Sequence, residues 1–149
     1  MSSRCASVKP RSCAACSREA LNNAGTVISK SFGETTLEEM DRVLAINLRG
    51  VFIATHAALK HLPDGGRITT IGSCAVERVG APNLVTYAAT KGAVKLFSQA
   101  LAREVGPRGI TVNNVQPGPT DTDLNPASDP IAAPQMLADT ALKRLRACE

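Results

Sequence analysis

The stretch R-I-T-T-I-G at residues 67–72 is short, apolar and β-branched, and it lies between two segments with helical periodicity. Such a stretch predicts a strand. The segment before it has helical spacing from about Leu37 to Leu62 and stops at Pro63-Asp64-Gly65-Gly66. The segment after it is helical from about Val85 to Val105, and I-T-V-N-N-V at 110–115 predicts a second strand. Helix, strand, helix and strand with short links indicate crossover units and a parallel sheet of the α/β class.

The predicted sheet indicates where a site would lie. In a parallel sheet, ligands bind beyond the carboxyl ends of the strands. Ser73 follows the first predicted strand, and Pro117-Gly118 follow the second. We therefore expect the chemistry at these positions. A last short helix is predicted from about Pro134 to Arg146.

The composition is that of one globular domain. The chain has 149 residues, of which 44% are apolar and 20% are charged. No apolar run approaches about 18 residues, so no membrane span is expected. Four basic and no acidic residues lie within 1–18, and the other 13 basic residues balance the 13 acidic ones. Because only one Tyr and no Trp are present, no surface for nucleic acid is indicated.

Residues 1–19 are predicted to form a disordered or non-homologous leader before a catalytic domain at 20–149. The leader contains Cys13-x-x-Cys16 but lacks the second Cys or His pair of a zinc site, so no metal is expected. The odd total of five cysteines, with no secretory apolar segment, favours a reducing compartment. The prediction is a cytoplasmic protein. The Ser-, Ala- and Arg-rich leader leaves a mitochondrial address as the alternative.

Tyr87 and Lys91 are the first candidates for chemistry. They are four residues apart near the start of a predicted helix, so they share one face. A free phenol has a pKa near ~10, which makes it a poor acid or base at neutral pH. A nearby ammonium favours the phenolate and lowers that pKa. The pair could therefore act as a general acid/base, although such a pair taken alone is more often an ordinary helix contact.

Other candidates accompany this pair. Ser73 lies 14 positions before Tyr87, at a strand end where its hydroxyl could hydrogen-bond a substrate oxygen. Asn47 lies inside the long predicted helix, where Asn is a poor helix former. It predicts a local kink or a side-chain hydrogen bond. Asn22-Asn23-Ala24-Gly25 predicts a tight turn.

Three further residues are assigned no function. His56 and His61 are five apart on the predicted helix, share no face well and are expected at the surface or its boundary. Cys74 is expected to be a small buried residue and not a nucleophile.

Five motifs, in this order and spacing, resemble the short-chain dehydrogenase/reductase family, and within it the 3-oxoacyl-carrier-protein reductase-like members. They are N-N-A-G at 22–25, N-L-R-G at 47–50, I-G-S at 71–73, Y-A-A-T-K-G-A at 87–93 and N-N-V-Q-P-G-P-T-D-T at 113–122. The resemblance spans about Leu21 to Leu142. It implies a Rossmann-type doubly wound parallel sheet.

The resemblance also implies an activity, which is hydride transfer between NAD(P)(H) and a carbonyl or secondary alcohol, with NADP slightly favoured. Tyr87 would be the general acid/base, and Lys91 would lower its pKa and hold the nicotinamide ribose. Ser73 would orient the substrate carbonyl, and Asn47 would hold a water of the proton relay. The residues implied in cofactor binding are Asn23, Ala24, Gly25, Tyr87, Lys91, Pro117, Gly118, Thr120 and Thr122.

The sequence departs from the family pattern at both ends. No G-x-x-x-G-x-G or G-x-G-x-x-G turn, which cradles the pyrophosphate in such folds, occurs in it. The polar, Cys-rich segment 12–20 stands where the family has a strand before Asn22. No final strand follows Leu142. We therefore expect a partial sheet, truncated at both ends, in which the strand at 67–72 has few neighbours and an unpaired edge.

Three interpretations remain open. The first is an NAD(P)-dependent oxidoreductase acting on a small carbonyl or alcohol. The second is a truncated, non-catalytic fragment. The third is an interaction module that pairs with full-length homologues. A homo-oligomer formed through the helices at 37–62 and 85–105 is a further expectation, as is weak dinucleotide binding by the chain alone.

Overall fold

The computed structural model describes residues 18–122 and, beyond them, residues 128, 130, 134, 137, 138, 140, 146 and 147. Nearly all of the predicted leader at 1–19 and most of the predicted helix at 134–146 therefore lie outside the described residues.

A three-stranded parallel sheet forms the centre of the described chain. Its strands are β1 (Glu19–Asn22), β2 (Arg67–Ile71) and β3 (Thr111–Val115), in the order β1–β2–β3. Arg67 lies opposite Glu19 on one side and Thr111 on the other. The predicted strands at 67–72 and 110–115 and the α/β class are thus confirmed. Two further strands of two residues each, β4 (Thr120–Asp121) and β5 (Arg146–Ala147), pair with each other apart from this sheet.

Two expectations about the sheet are wrong. A strand does precede the turn at 22–25, because Glu19–Asn22 pairs with β2 along its whole length. The strand β2 is consequently paired on both sides and has no free edge. Four residues after a polar segment show too little alternation to predict a strand. The neighbouring strand imposes the extended conformation.

The chain between β1 and β2 is one helical run with an interruption. It consists of α1 (Leu37–Leu44), a π turn (Ala45–Arg49) and α2 (Gly50–Leu59). Thr36 caps α1 in a capping box with Glu39. Its side chain accepts from the N–H of Glu39, and the Glu39 carboxylate accepts from the N–H of Thr36. The run begins where the sequence predicts, ends at Leu59 and not at Leu62, and contains its irregularity around Asn47, as predicted.

The π turn has a geometric reason. Val43, Asn47, Val51 and Thr55 recur every four residues and are all buried. In a regular helix a step of four residues rotates the side chain by about 40° relative to the previous one. A π turn is wider than an α turn, so it offsets part of this drift. The four side chains consequently stay on one buried line.

The same helical run, Leu37–Leu59, has the length and composition of a membrane span, although the sequence predicts none. Length and composition alone are weak evidence for a membrane span, because the core helices of soluble proteins share these properties. Here Val43, Asn47, Val51 and Thr55 are buried within the fold, whereas only 22% of the apolar stretch of the run is buried.

The helix α3 (Val85–Val105) has the predicted bounds. It is followed by a 3-10 turn (Gly106–Arg108) and by Gly109, whose φ of 67° is in the left-handed region that glycine adopts readily. The core at this end lies between α3 and the sheet. It consists of Leu62, Ile68, Leu101, Val105 and Ile110.

The two faces of the sheet differ. Successive side chains of a strand point to opposite faces, and the face with Ala20, Ile68 and Val112 packs into the core under α3. On the opposite face, Leu21 and Val115 are 63% and 47% exposed. The helices of the described chain thus cover one face and leave apolar side chains on the other.

Candidate functional site

Tyr87 and Lys91 lie together on the first turns of α3, as their spacing predicts. The Lys91 Nζ is 5.8 Å from the centre of the Tyr87 ring. It also donates a hydrogen bond of 2.7 Å to the carbonyl oxygen of Ile71, the last residue of β2. The lysine is therefore held between α3 and the carboxyl end of the central strand. This is the location expected for a ligand site in a parallel sheet.

Lys91 is strongly enclosed. The residue is only 6% exposed. Burial disfavours an ammonium, and it lowers the pKa of Lys91 below its ordinary value. A buried lysine with one carbonyl partner is available to bind other acceptors.

Asn47 holds the turn after β1. Its side-chain Oδ1 accepts from the N–H of Thr26 at 2.8 Å, and its Nδ2 donates to the carbonyl oxygen of Thr26, also at 2.8 Å. The amide thus binds both main-chain groups of one residue. At 1% exposure, this amide fulfils the predicted role of a mid-helix Asn that hydrogen-bonds through its side chain.

Thr90 connects this amide to α3. The second Nδ2 hydrogen of Asn47 is donated to the Thr90 hydroxyl at 3.2 Å. That hydroxyl in turn donates to the carbonyl oxygen of Tyr87 at 2.7 Å. Both hydrogens of the Asn47 amide are therefore used within the protein. A water bound here could therefore hydrogen-bond the Asn47 side chain only by donating to Oδ1.

Gly25 lies where these groups meet. A Cβ built on Gly25 would be 3.7 Å from Asn47 Oδ1 and 3.7 Å from Lys91 Nζ. Asn23, Ala24 and Gly25 are exposed. The turn at 23–25 thus covers the lysine from the side of β1 and presents an open main chain above it.

Ser73 follows β2 and is joined to the loop after β3. Its Oγ accepts from the N–H of Ala75 at 3.2 Å and caps a 3-10 turn (Cys74–Val76), which packs against α3. The N–H of Cys74 donates to the carbonyl oxygen of Pro117 at 3.0 Å. Cys74 itself is exposed, so its predicted burial is wrong: the residue lies in the capped turn beyond the strand and not in the sheet.

The remaining predicted cofactor residues lie on the loop after β3. Pro117 is half-buried, and Gly118 is exposed. A Cβ placed on Gly118 would have no atom within 4 Å, so the space beside it is open. Thr120 donates its hydroxyl to the carbonyl oxygen of Gly118 at 3.0 Å and begins β4, and Thr122 follows this strand. The structure brings Asn47, Tyr87 and Lys91 into one network and places Ser73 and Pro117 at neighbouring strand ends.

Two site residues were missed by sequence reasoning. Thr90 stands inside the Y-A-A-T-K-G-A motif, and Thr26 directly follows the N-N-A-G turn. The signal for Thr90 was its position three residues after Tyr87, from which a helical Thr hydroxyl can reach the earlier carbonyl. Nothing in the sequence indicates the contact between Asn47 and Thr26, since it joins residues 21 apart in the chain.

Comparison with known proteins identifies the family of the chain. Residues 20–131 match the short chain dehydrogenase family. A crystal structure of a short chain dehydrogenase from Burkholderia cenocepacia J2315 in complex with NADP superposes with a TM-score of 0.83 and 43% identity, covering 87% of this chain and 52% of that one. The chain belongs to the short-chain dehydrogenase family.

The chain is also similar to parts of two longer curated proteins with different names. The chain is 42% identical over 109 residues to the cyclic-di-GMP-binding biofilm dispersal mediator protein of Escherichia coli (strain K12), covering 73% of this chain and 46% of that protein. It is 43% identical over 105 residues to elsinochrome reductase 1 of Elsinoe fawcettii, covering 70% and 39%. The chain thus spans less than half the length of these relatives.

Proposed function

We propose that the chain is the catalytic part of an NAD(P)(H)-dependent oxidoreductase that interconverts a carbonyl and a secondary alcohol. The observation that carries the proposal is the buried Lys91, which is held by the Ile71 carbonyl beside the Tyr87 ring. A buried ammonium beside a phenol at the end of a parallel strand is an arrangement suited to proton transfer.

The proposed roles are those that the resemblance to the family implies for these residues. Tyr87 gives its hydroxyl proton to the substrate oxygen or takes it back. Lys91 supplies positive charge next to the phenol, with its Nζ 5.8 Å from the ring centre. Ser73, at the end of β2, hydrogen-bonds the same substrate oxygen and orients it. Asn47 holds a water that returns the proton from solvent.

The residues around Lys91 fit the nicotinamide end of a dinucleotide. An ammonium has three donors, and within the described residues one hydrogen bond, to Ile71, is seen. The others suit the ribose hydroxyls, which accept hydrogen bonds. The exposed turn at 23–25 and the loop at Pro117-Gly118 border this position. The cofactor, when bound, supplies the hydride.

Relatives support NADP(H) as the favoured cofactor. Besides the Burkholderia enzyme, the crystal structure of a blue fluorescent protein from a metagenomic library is a complex with NADPH, with a TM-score of 0.83 and 43% identity, covering 87% of this chain and 52% of that chain. The substrate proposed is a 3-oxoacyl-type carbonyl.

A second candidate function is an interaction module without turnover. It is favoured by exposed apolar side chains on α2, where Phe52 and Ile53 are 41% and 52% exposed. Phe52 contacts Phe97 of α3, with ring centres 4.6 Å apart. The helices at 37–62 and 85–105 thus offer a joint surface through which two copies, or this chain and a longer homologue, could pair.

Substitution of Tyr87 tests the proposed function. Tyr87→Phe keeps the ring and removes the hydroxyl, so it is expected to abolish NADPH-dependent carbonyl reduction by the chain at unchanged thermal stability. Thr86→Ser, one residue earlier and off the Tyr87–Lys91 face, is the matched control and retains the rate. Equal rates in Tyr87→Phe and wild type would contradict the assignment. Reduction absent from the wild-type chain would favour the interaction module.

A further inference from the structure

Thr90 lies between the two functional residues of α3 but faces the interior. It follows Tyr87 by three positions and precedes Lys91 directly. At 1% exposure its side chain is hidden from any ligand. Its influence on a site must therefore pass through the residues that its hydroxyl contacts.

The hydroxyl of Thr90 is committed on two sides. It donates to the carbonyl oxygen of Tyr87 at 2.7 Å and accepts from Asn47 Nδ2 at 3.2 Å. A hydroxyl has a single hydrogen, so giving it to Tyr87 leaves only lone pairs for the Asn47 amide. Thr90 thereby completes the partners of an amide that is itself buried.

The amide of Asn47 transmits this contact to the turn after β1. It binds both main-chain groups of Thr26, and the neighbouring Gly25 lies against Asn47 and Lys91. Without the Thr90 hydroxyl, a buried N–H of Asn47 would lose its partner, which is costly. The amide would then gain by leaving its place, and the turn would lose its attachment to α3.

We propose that Thr90 is a positioning residue that fixes the turn at 23–26 against Lys91 through Asn47, and thereby sets how well this turn binds the nicotinamide end of the dinucleotide. The first half of the proposal concerns the protein alone. The second half rests on the proposed function.

Amide hydrogen exchange of the full chain tests the first half. Thr90→Val, which replaces the hydroxyl with a methyl, is expected to speed exchange of the Thr26 amide by about tenfold relative to that of Ile68 in the core, the change that loss of roughly one hydrogen bond brings. Thr90→Ser keeps the hydroxyl and is expected to preserve protection. Thr90→Ala replaces Thr90→Val if the latter does not fold.

Thr55→Val is the matched control. Thr55 is buried to the same extent as Thr90, and its hydroxyl accepts a hydrogen bond from the Asn22 amide at 2.9 Å. Thr55→Val therefore loses a comparable buried contact but leaves the ratio of Thr26 to Ile68 exchange unchanged. An equal change of this ratio in Thr55→Val and Thr90→Val would overturn the positioning role. So would a Thr26 amide that is already unprotected in the wild type.

NADPH titration followed through the amide signals at 23–26 tests the second half. Thr90→Val is expected to weaken binding by about three- to tenfold, while Thr90→Ser and Thr55→Val retain the wild-type affinity. Unchanged affinity in Thr90→Val would overturn the second half. If NADPH perturbs none of these signals in the wild type, the proposed function and this second half fail together, and the exchange comparison still decides the first.

Discussion

Lys91 shows how one buried charge couples stability to pH. Burial lowers its pKa in the folded protein, whereas the unfolded chain titrates near the ordinary value of 10.5. Between these two values the unfolded chain binds the additional proton, so the free energy of unfolding rises with pH across this alkaline window. Below the window, the folded state bears the full cost of holding the ammonium out of water.

Lys91→Met removes this cost. At pH 7 the variant is expected to have a Tm at or above that of the wild type, and this difference should shrink as the pH rises towards 10.5. Circular dichroism melts over this range measure it. Lys95→Met is the control, since Lys95 pairs with Glu77 at the surface and its loss is expected to lower the Tm at pH 7. A pH-independent difference between Lys91→Met and the wild type would be evidence against the desolvation argument.

Local spacing predicted Tyr87 and Lys91 but not their surroundings. Four residues along a helix place two side chains on one face, whatever the rest of the chain does. The Ile71 carbonyl under Lys91 and the Thr26 main chain under Asn47 are contacts across 20 and 21 residues. Such contacts depend on how the elements pack, which a single sequence does not encode locally.

The strands β2 and β3 meet closely where they end. A Cβ on Gly72 would clash with Oδ1 of Asn114, whose buried amide has no hydrogen-bond partner among the described residues. Gly72 follows β2, and its N–H donates to the carbonyl oxygen of Val115 at 2.7 Å. The absence of a side chain at position 72 is therefore what allows Asn114 to occupy this corner.

Gly72→Ala is expected to destabilise the protein by about 1–3 kcal/mol through overpacking. Combining it with Asn114→Ala should recover most of this loss, because the second change removes the clashing amide. Denaturant unfolding of the two single variants and the double variant gives the coupling. Gly92→Ala in α3, where a Cβ meets nothing within 4 Å, is the control and is expected to be neutral or stabilising. Additive effects of the two changes would refute the steric explanation.

The elements differed in how far the sequence predicted them. The helix α3 was predicted with its observed bounds, because its apolar face ends at Gly106-Pro107, a strong helix stop. The π turn was anticipated only as an irregularity at Asn47. The strand β1 was missed, since its four residues become a strand by pairing with β2. Short elements held by neighbours are thus the ones that local pattern fails to predict.

The molecule as described has two apolar surfaces that a single copy leaves exposed. One is the sheet face with Leu21 and Val115, next to the outer edge of β1, and the other is the α2 surface with Phe52 and Ile53. An open parallel edge beside exposed apolar side chains favours association. The sheet face also lies beside the main-chain hydrogen-bonding groups at the outer edge of β1. We therefore expect it to contribute more to association than the α2 surface does.

Leu21→Lys is accordingly expected to reduce concentration-dependent association, as measured by sedimentation velocity. Leu37→Lys, at the exposed start of α1, adds the same charge away from the sheet and is expected to leave association unchanged. Association that survives Leu21→Lys but disappears in Phe52→Lys would instead assign the contact to the helices.

The π turn at Ala45–Arg49 makes this helical run sensitive to length as well as to composition. A π turn holds one residue more than the α turn it replaces, so loss of one residue at the turn would leave a regular helix whose later side chains keep their direction. Val51 and Thr55 would stay on the buried line. Loss of one residue within the regular helix α2 would instead rotate every later side chain by about 100° about the axis and would take Thr55 away from the core. A descendant of this chain could therefore lose a residue at the turn and keep both surfaces, but not a residue after it.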